Sequence, residues 1–229
     1  MMQQGSGEAP FNALPWVVWV ICLPMIAMEL TLQLGENGLA GGREAIGWRV
    51  LAFDKLAFAP EILRQALATG QWWDEVGQRA LGYPLVHYGF IDTAFSVALT
   101  LALGKWVAEV MRPVFVLVVF LGASIGAAMV YGILPFTDLA LVGASPGVFG
   151  LVGAFTFALW SRLVIRNGPQ QSAFLMIGFL MGIQILFRLL FEWQWDWVAD
   201  LVGFGIGFAL TAILVPGGWQ GALRRMRRR

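Results

Sequence analysis

Apolar and polar positions alternate along this chain in long blocks. Six apolar blocks stand between shorter polar connections, at residues 14–34, 84–103, 113–134, 146–160, 173–190 and 198–215. A helix needs about 20 apolar residues to cross the hydrocarbon core of a bilayer. The pattern therefore predicts six membrane spans. The block at 146–160 is short, which predicts that its helix begins below the membrane surface, after irregular backbone at 138–147 that other helices surround.

A different pattern fills residues 35–82, between the first two blocks. Charges of both signs are interleaved with aromatic residues there. This mixture is typical of amphipathic helices that lie at a membrane surface. It predicts a long interfacial first loop inside one six-span domain at 14–215, with an N-terminal tail at 1–13 and a basic tail at 216–229.

Composition gives the same class of protein. Of the 229 residues, 59% are hydrophobic and 13% are charged, and the mean hydropathy is +0.72. An ordinary soluble domain has about 45–50% apolar and 25% charged residues. The fold class expected is therefore all-α, a polytopic membrane bundle. Cys22 is the single cysteine, so one chain can form neither a disulfide nor a cysteine-based metal cluster.

Basic residues in the short connections indicate orientation. With six spans, the second-to-third and fourth-to-fifth connections and the C-terminal tail share one side, and they carry Lys105, Arg112, Arg162, Arg166 and the run of arginines after residue 223. The positive-inside rule places that side in the cytoplasm, with both termini. The N-terminus has no basic region of the kind that precedes a cleavable signal. The expected location is a bacterial plasma membrane.

The small-residue segment 143–150 stands at the start of the fourth span. Ser145 is the hydroxyl within it, and Pro146 suits the first turn of a helix because it lacks an N–H and has a fixed φ. Ser145 is therefore predicted at the N-terminus of a buried helix. A packing segment of small residues, with no chemical role, is the alternative.

The last span carries an acid beside a pair of glycines. Gly203 and Gly207 are four residues apart, a spacing that lets two spans touch backbone to backbone, and Asp200 precedes Gly203 by one turn. If this face packs on the helix after Ser145, Asp200 lies beside Ser145.

The second span is predicted to begin with His87, the only histidine, followed by Asp92 and Ser96 one turn apart. A carboxylate in a span is costly without a partner or water. His87 alone also fits an interfacial histidine, and Ser96 fits a hydroxyl bonded to its own helix.

Two further ionisable residues lie in predicted spans. Glu29 is expected near the membrane interface, and Arg188 either pairs with an acid or extends outward. Asp92, Asp200 and Glu29 together leave open a protein that handles protons or cations. A metal site is weakly supported, since the chain has one histidine, and no metal or cofactor is expected.

Over residues 79–209 the chain resembles the rhomboid intramembrane serine proteases. The Gly-x-Ser motif of that family is present, and its other motifs are present in altered form. The positions that carry the resemblance are Gly143, Ser145, Gly150 and Gly153 in the fourth span, Asp200, Gly203 and Gly207 in the last, His87, Asp92 and Ser96 in the second, and Gln78-Arg79 at the Trp-Arg pair of the first loop.

The resemblance implies a role for each site position. Ser145 stands at the nucleophile, and Asp200 replaces the histidine that serves as base. Asp92 and Ser96 replace the histidine and asparagine that donate to the oxyanion, and Pro146 replaces the glycine after the serine.

These replacements remove the groups that activate a serine. An unperturbed aspartate has a pKa of about 3.9 against about 6.5 for histidine, so it is a poor base at neutral pH. Each lost oxyanion donor costs about 10²–10³-fold in rate. The function expected is a rhomboid-like pseudoprotease that binds transmembrane clients or acts as a subunit or scaffold in a membrane complex. Its expected partners are membrane lipid and transmembrane segments of client or partner proteins, and not nucleic acid. The alternative is an active protease in which Ser145 attacks and Asp200 is the base.

Overall fold

A computed structural model describes residues 14–71, 73–190 and 195–215, with the backbone alone at 184, 185 and 187–190. Both predicted tails, 1–13 and 216–229, lie outside the described residues, as does the side chain of Arg188. Within the described part of the chain, the regular secondary structure is helical.

Five helices are long and apolar enough to cross a membrane, which confirms a polytopic bundle. They are α1 (Trp16–Glu36), α5 (Phe90–Val110), α6 (Pro113–Ile133), α7 (Ser145–Ile165) and α9 (Trp197–Leu214). A sixth apolar helix, α8 (Leu175–Leu190), follows a 3-10 turn at Gln170–Phe174 and has 16 residues. At 1.5 Å per residue it is about 24 Å long, shorter than the ~30 Å hydrocarbon core.

The first loop, residues 37–89, is folded into three helices: α2 (Trp48–Leu56), α3 (Pro60–Thr69) and α4 (Trp73–Gly82). The 3-10 turns Gly42–Gly47 and Tyr83–Leu85 flank them. The helix α3 buries Leu63 and Ala66, and it packs with α4 against α6. The loop is therefore part of the bundle's core.

Arg64 of α3 links the first loop to the end of α6 by hydrogen bonds. Its guanidinium donates to the carbonyls of Gly132 at 3.1 Å, Leu134 at 2.6 Å and Thr137 at 2.6 Å. The last carbonyls of a helix have no partner within the helix, so a cation that binds them caps it.

The predicted limits of the second span were wrong. Helix α5 begins at Phe90, six residues later than predicted, and ends at Val110. Pro84 lies in the 3-10 turn Tyr83–Leu85, and Val86 is extended. An apolar run around a proline does not reveal whether the proline lies in a 3-10 turn or in an α-helix. Because α5 begins only at Phe90, His87 lies ahead of the span.

The fourth span is also longer than predicted. Helix α7 runs from Ser145 to Ile165, past the predicted end at residue 160. In its last turns the guanidinium of Arg162 lies 5.3 Å from the centre of the Trp106 ring in α5, a cation–π contact. In the most apolar stretch of α7, 56% of the residues are buried, against at most 44% in the other four long spans. Helix α7 is therefore the central helix.

Helices α7 and α9 meet backbone to backbone, as the glycine spacing predicted. A methyl group on Gly203 would collide with the carbonyl oxygen of Pro146, and one on Gly207 with that of Gly150. Both contacts advance by four residues, so the two helices run parallel through the bundle.

Candidate functional site

The backbone that leads into Ser145 is held by the first loop. Leu141 and Phe58 exchange two backbone hydrogen bonds, of 3.0 and 2.9 Å. The N–H of Gly143 donates to the carbonyl of Tyr83 at 3.0 Å, and the N–H of Ala144 donates to Nε2 of His87 at 3.3 Å. The first loop therefore sets where α7 begins.

Ser145 is the first residue of α7 and is partly exposed. Gly143, two residues earlier, has φ +95°, in the left-handed region that favours glycine. A methyl group there would lie 3.7 Å from Cδ2 of His87 and 3.9 Å from Oδ2 of Asp92. The structure thus brings His87 and Asp92 to the turn that precedes Ser145.

Asp200 lies in the first turn of α9 and is 5% exposed. Since Gly203 faces Pro146 and the helices run parallel, Asp200 stands at the level of Gly143. The phenol of Tyr83 is nearby: burial raises its pKa, and the Asp200 carboxylate raises it further. The Tyr83 hydroxyl donates to the carbonyl of Ser124 at 2.8 Å.

Asp92 and Ser96 occupy the first two turns of α5. Oδ2 of Asp92 accepts the backbone N–H of Tyr88 at 3.2 Å, so the carboxylate satisfies a donor just before the helix. Ser96 is 6% exposed, and its carbonyl accepts the hydroxyl of Thr100 at 2.7 Å. Asp92 is therefore a hydrogen-bond acceptor in the first turn of α5, at the end of a span.

A buried ionic network, not foreseen from the sequence, lies behind His87. We call it the Arg49 network. Arg49 donates to Glu29 at 3.0 and 3.1 Å, to Glu36 at 2.6 and 3.1 Å, and to the carbonyl of His87 at 2.7 Å. The hydroxyl of Thr93 donates to Glu29 at 3.0 Å. These bonds join α1, α2 and α5 in one cluster.

Glu29 was expected near the interface, and the structure shows that it is paired with Arg49. It is 3% exposed, and Gln33 donates to it at 2.9 Å beside the bonds from Arg49. Hydrogen bonds to Glu36 and Glu29 raise the pKa of the Arg49 guanidinium. A carboxylate held in this way has a structural role, which weakens the ion-handling hypothesis. An acid in a span indicates that a basic residue pairs with it. The sequence does not show which basic residue of the first loop is the partner of Glu29.

The hydrogen bonds of Arg79 lie within the first loop. Arg79 donates to the carbonyl of Ala57 at 2.9 Å and to Glu75, one turn earlier, at 3.0 Å. These bonds tie α4 to the end of α2, so Arg79 organises the first loop.

Burial lowers the pKa of His87, although Asp92 and Glu29 raise it in part and Arg49 lowers it further. The unfolded chain therefore binds a proton near pH 6.5 that the folded protein does not bind, and stability is lost as pH falls through that value. We expect the free energy of unfolding to fall by up to about 1.4 kcal/mol per pH unit from this group, between pH ~6.5 and the lowered pKa of His87 in the folded protein.

The measurement is the unfolding of wild type and His87→Gln in detergent between pH 7.5 and 5. The difference in stability between the two proteins should change with pH, because the carboxylates are common to both. A difference that is the same at every pH would contradict the lowered pKa.

Comparisons with known proteins indicate the family to which the chain belongs. The family model described as Rhomboid domain matches residues 69–217, more than half of the chain. A search of the curated proteins found no match. The chain belongs to the rhomboid family, and it is a multi-pass membrane protein.

Proposed function

We propose that this rhomboid-family protein is a pseudoprotease. It keeps the helical bundle, has lost peptidase chemistry, and binds transmembrane segments of clients or serves as a subunit in a membrane assembly. The observation that carries the proposal is the bond from the N–H of Tyr88 to Oδ2 of Asp92. A carboxylate that accepts a hydrogen bond brings negative charge to a position where an oxyanion needs a donor.

The surroundings of Ser145 support the same conclusion. The N–H of Ala144, immediately before the serine, is bonded to His87. Among the described residues, the Ser145 hydroxyl has no hydrogen-bond partner. A serine hydroxyl is a weak nucleophile until an adjacent base takes its proton.

The client would pack on the outer face of α5. Phe90, Ile91 and Phe95 are 62%, 83% and 62% exposed, and they begin at the level of the candidate site. An apolar helix face of this kind suits a second transmembrane helix. The proposal also includes a domain at 14–215 in a bacterial plasma membrane, with both termini in the cytoplasm.

Labelling with a fluorophosphonate, which modifies only activated serines, tests the loss of chemistry. We expect no label on the folded wild type, and none on Ser145→Ala. The variant Asp92→His/Ser96→Asn/Asp200→His returns the family's side chains, and label on it alone would show that these positions account for the loss. Label on wild type that disappears in Ser145→Ala would overturn the proposal in favour of an active protease.

Photocrosslinking from α5 tests client binding. A photoreactive residue at Phe95 should yield discrete crosslinked proteins in native membranes. The control is Val118, which is 40% exposed on α6. Equal yields from both positions would count against a client site on α5.

A further inference from the structure

Arg49 reaches the candidate site through the backbone of His87. Its Nη1 donates to the His87 carbonyl at 2.7 Å and to Glu29 at 3.1 Å. A hydrogen bond from a charged donor is shorter and stronger than a neutral one. Because Arg49 is 8% exposed and Glu29 3%, little water is available to replace these bonds.

The other side of His87 continues the connection. The residue is 1% exposed, and its imidazole Nε2 accepts the N–H of Ala144 at 3.3 Å. Ala144 directly precedes Ser145. A continuous path of contacts therefore runs from the guanidinium of Arg49, through the carbonyl and ring of His87, to the first turn of α7.

The far end of the path is also fixed on α5. Thr93 of α5 donates to Glu29 at 3.0 Å, and the residues between His87 and Thr93 include Asp92. One ionic cluster thus holds both ends of the segment that faces Gly143.

We propose that Arg49 is a positioning residue of the candidate site: by fixing the His87–Thr93 backbone it seats the imidazole of His87 on Ala144 and so sets the conformation of the turn before Ser145. The inference concerns the shape of the site and holds whether the site is catalytic or only binds clients.

The histidine provides a specific readout. Because Nε2 accepts an N–H, the neutral ring carries its proton on Nδ1. His87 is the only histidine in the chain, so histidine labelled with ¹⁵N gives the signals of this ring alone. A tag without histidine keeps the spectrum clean.

Arg64 is the matched control. It is also a first-loop arginine whose guanidinium binds backbone carbonyls, those of Gly132, Leu134 and Thr137. It is bonded to the end of α6 and to the loop that follows, as far as Asp138 at 3.6 Å, and not to His87. Arg64→Gln therefore loosens the first loop without removing a hydrogen bond of the path from Arg49 through His87 to Ala144.

The experiment compares the ¹⁵N spectrum of His87 in wild type, Arg49→Gln and Arg64→Gln. Wild type and Arg64→Gln should show protonated Nδ1 and unprotonated Nε2. Arg49→Gln should shift the proton toward Nε2 or give a mixture. Hydrogen–deuterium exchange at 141–145 should rise about tenfold or more in Arg49→Gln alone, the factor expected for losing a charge-assisted hydrogen bond.

Arg49→Lys covers the case in which Arg49→Gln does not fold. Lysine keeps the charge but cannot reach both glutamates and the carbonyl in the planar geometry of the guanidinium. It should fold and still change the His87 signals. A folded Arg49 variant with wild-type His87 signals and wild-type exchange would overturn the proposal, as would an equal change of the His87 signals in Arg64→Gln.

Discussion

Replacing Gly207 by alanine is expected to destabilise the protein by about 3 kcal/mol or more, at the upper end of the usual cost of overpacking. The new methyl group would collide with the carbonyl oxygen of Gly150 and with its Cα at 2.6 Å. Both neighbours are backbone atoms of a helix, so neither can move as a side chain does. Relief requires α9 to separate from α7, the central helix.

Gly205→Ala is the control for this prediction. Gly205 lies two residues earlier on α9, and a methyl group there meets nothing within 4 Å. Alanine favours a helix over glycine by about 1 kcal/mol, so this variant should be neutral or more stable. Thermal or denaturant unfolding in detergent measures both. Similar losses in the two variants would show that helix propensity, and not contact with Gly150, decides the outcome.

Removing the guanidinium in Arg49→Met is expected to cost about 3–5 kcal/mol, because it leaves a buried carboxylate without its partner. Glu29 is enclosed by the bundle, with 4% of its side chain exposed. Glu29→Gln should cost less, since Arg49 keeps its bonds to Glu36, which is 33% exposed.

A double-mutant cycle measures this coupling. Glu29→Gln/Arg49→Met should be less destabilised than the sum of the two single variants, because no buried charge is then left unpaired. The pair of Glu75 and Arg79 is the control: the Glu75 side chain is 49% exposed and that of Arg79 14%, and Glu75→Gln, which removes only the exposed partner, should cost less than about 1 kcal/mol. Additive losses at Glu29 and Arg49 would contradict the description of the network as a coupled pair.

Several features of this protein follow from local patterns. The length of the apolar runs predicted the spans, because a bilayer demands about 20 apolar residues in a row. The glycine spacing in α9 predicted a close helix contact, because residues four apart share a helix face. Interleaved charges and aromatics predicted the helical first loop. Each is a property of neighbours along the chain.

The sequence also supplied the candidate site in outline. The motif around Ser145, with Asp92, Ser96 and Asp200, is enough to indicate the family from the sequence. The limits of α5 and α7 were harder to predict from the sequence. Pro84 fits a 3-10 turn as well as an α-helix, and the contact of Arg162 with Trp106 is visible only in the tertiary structure.

The sequence by itself determined that this is a multi-pass membrane protein with a helical bundle and altered motif positions, because each depends on residue types at short separations. The tertiary structure alone decided that Arg49 pairs with Glu29, twenty residues away, and that His87 binds Ala144, fifty-seven residues away. The sequence shows that the buried carboxylate of Glu29 needs a basic partner, but it does not distinguish among the several basic residues of the first loop. Only the packing of α1, α2 and α5 brings one of them within hydrogen-bond distance.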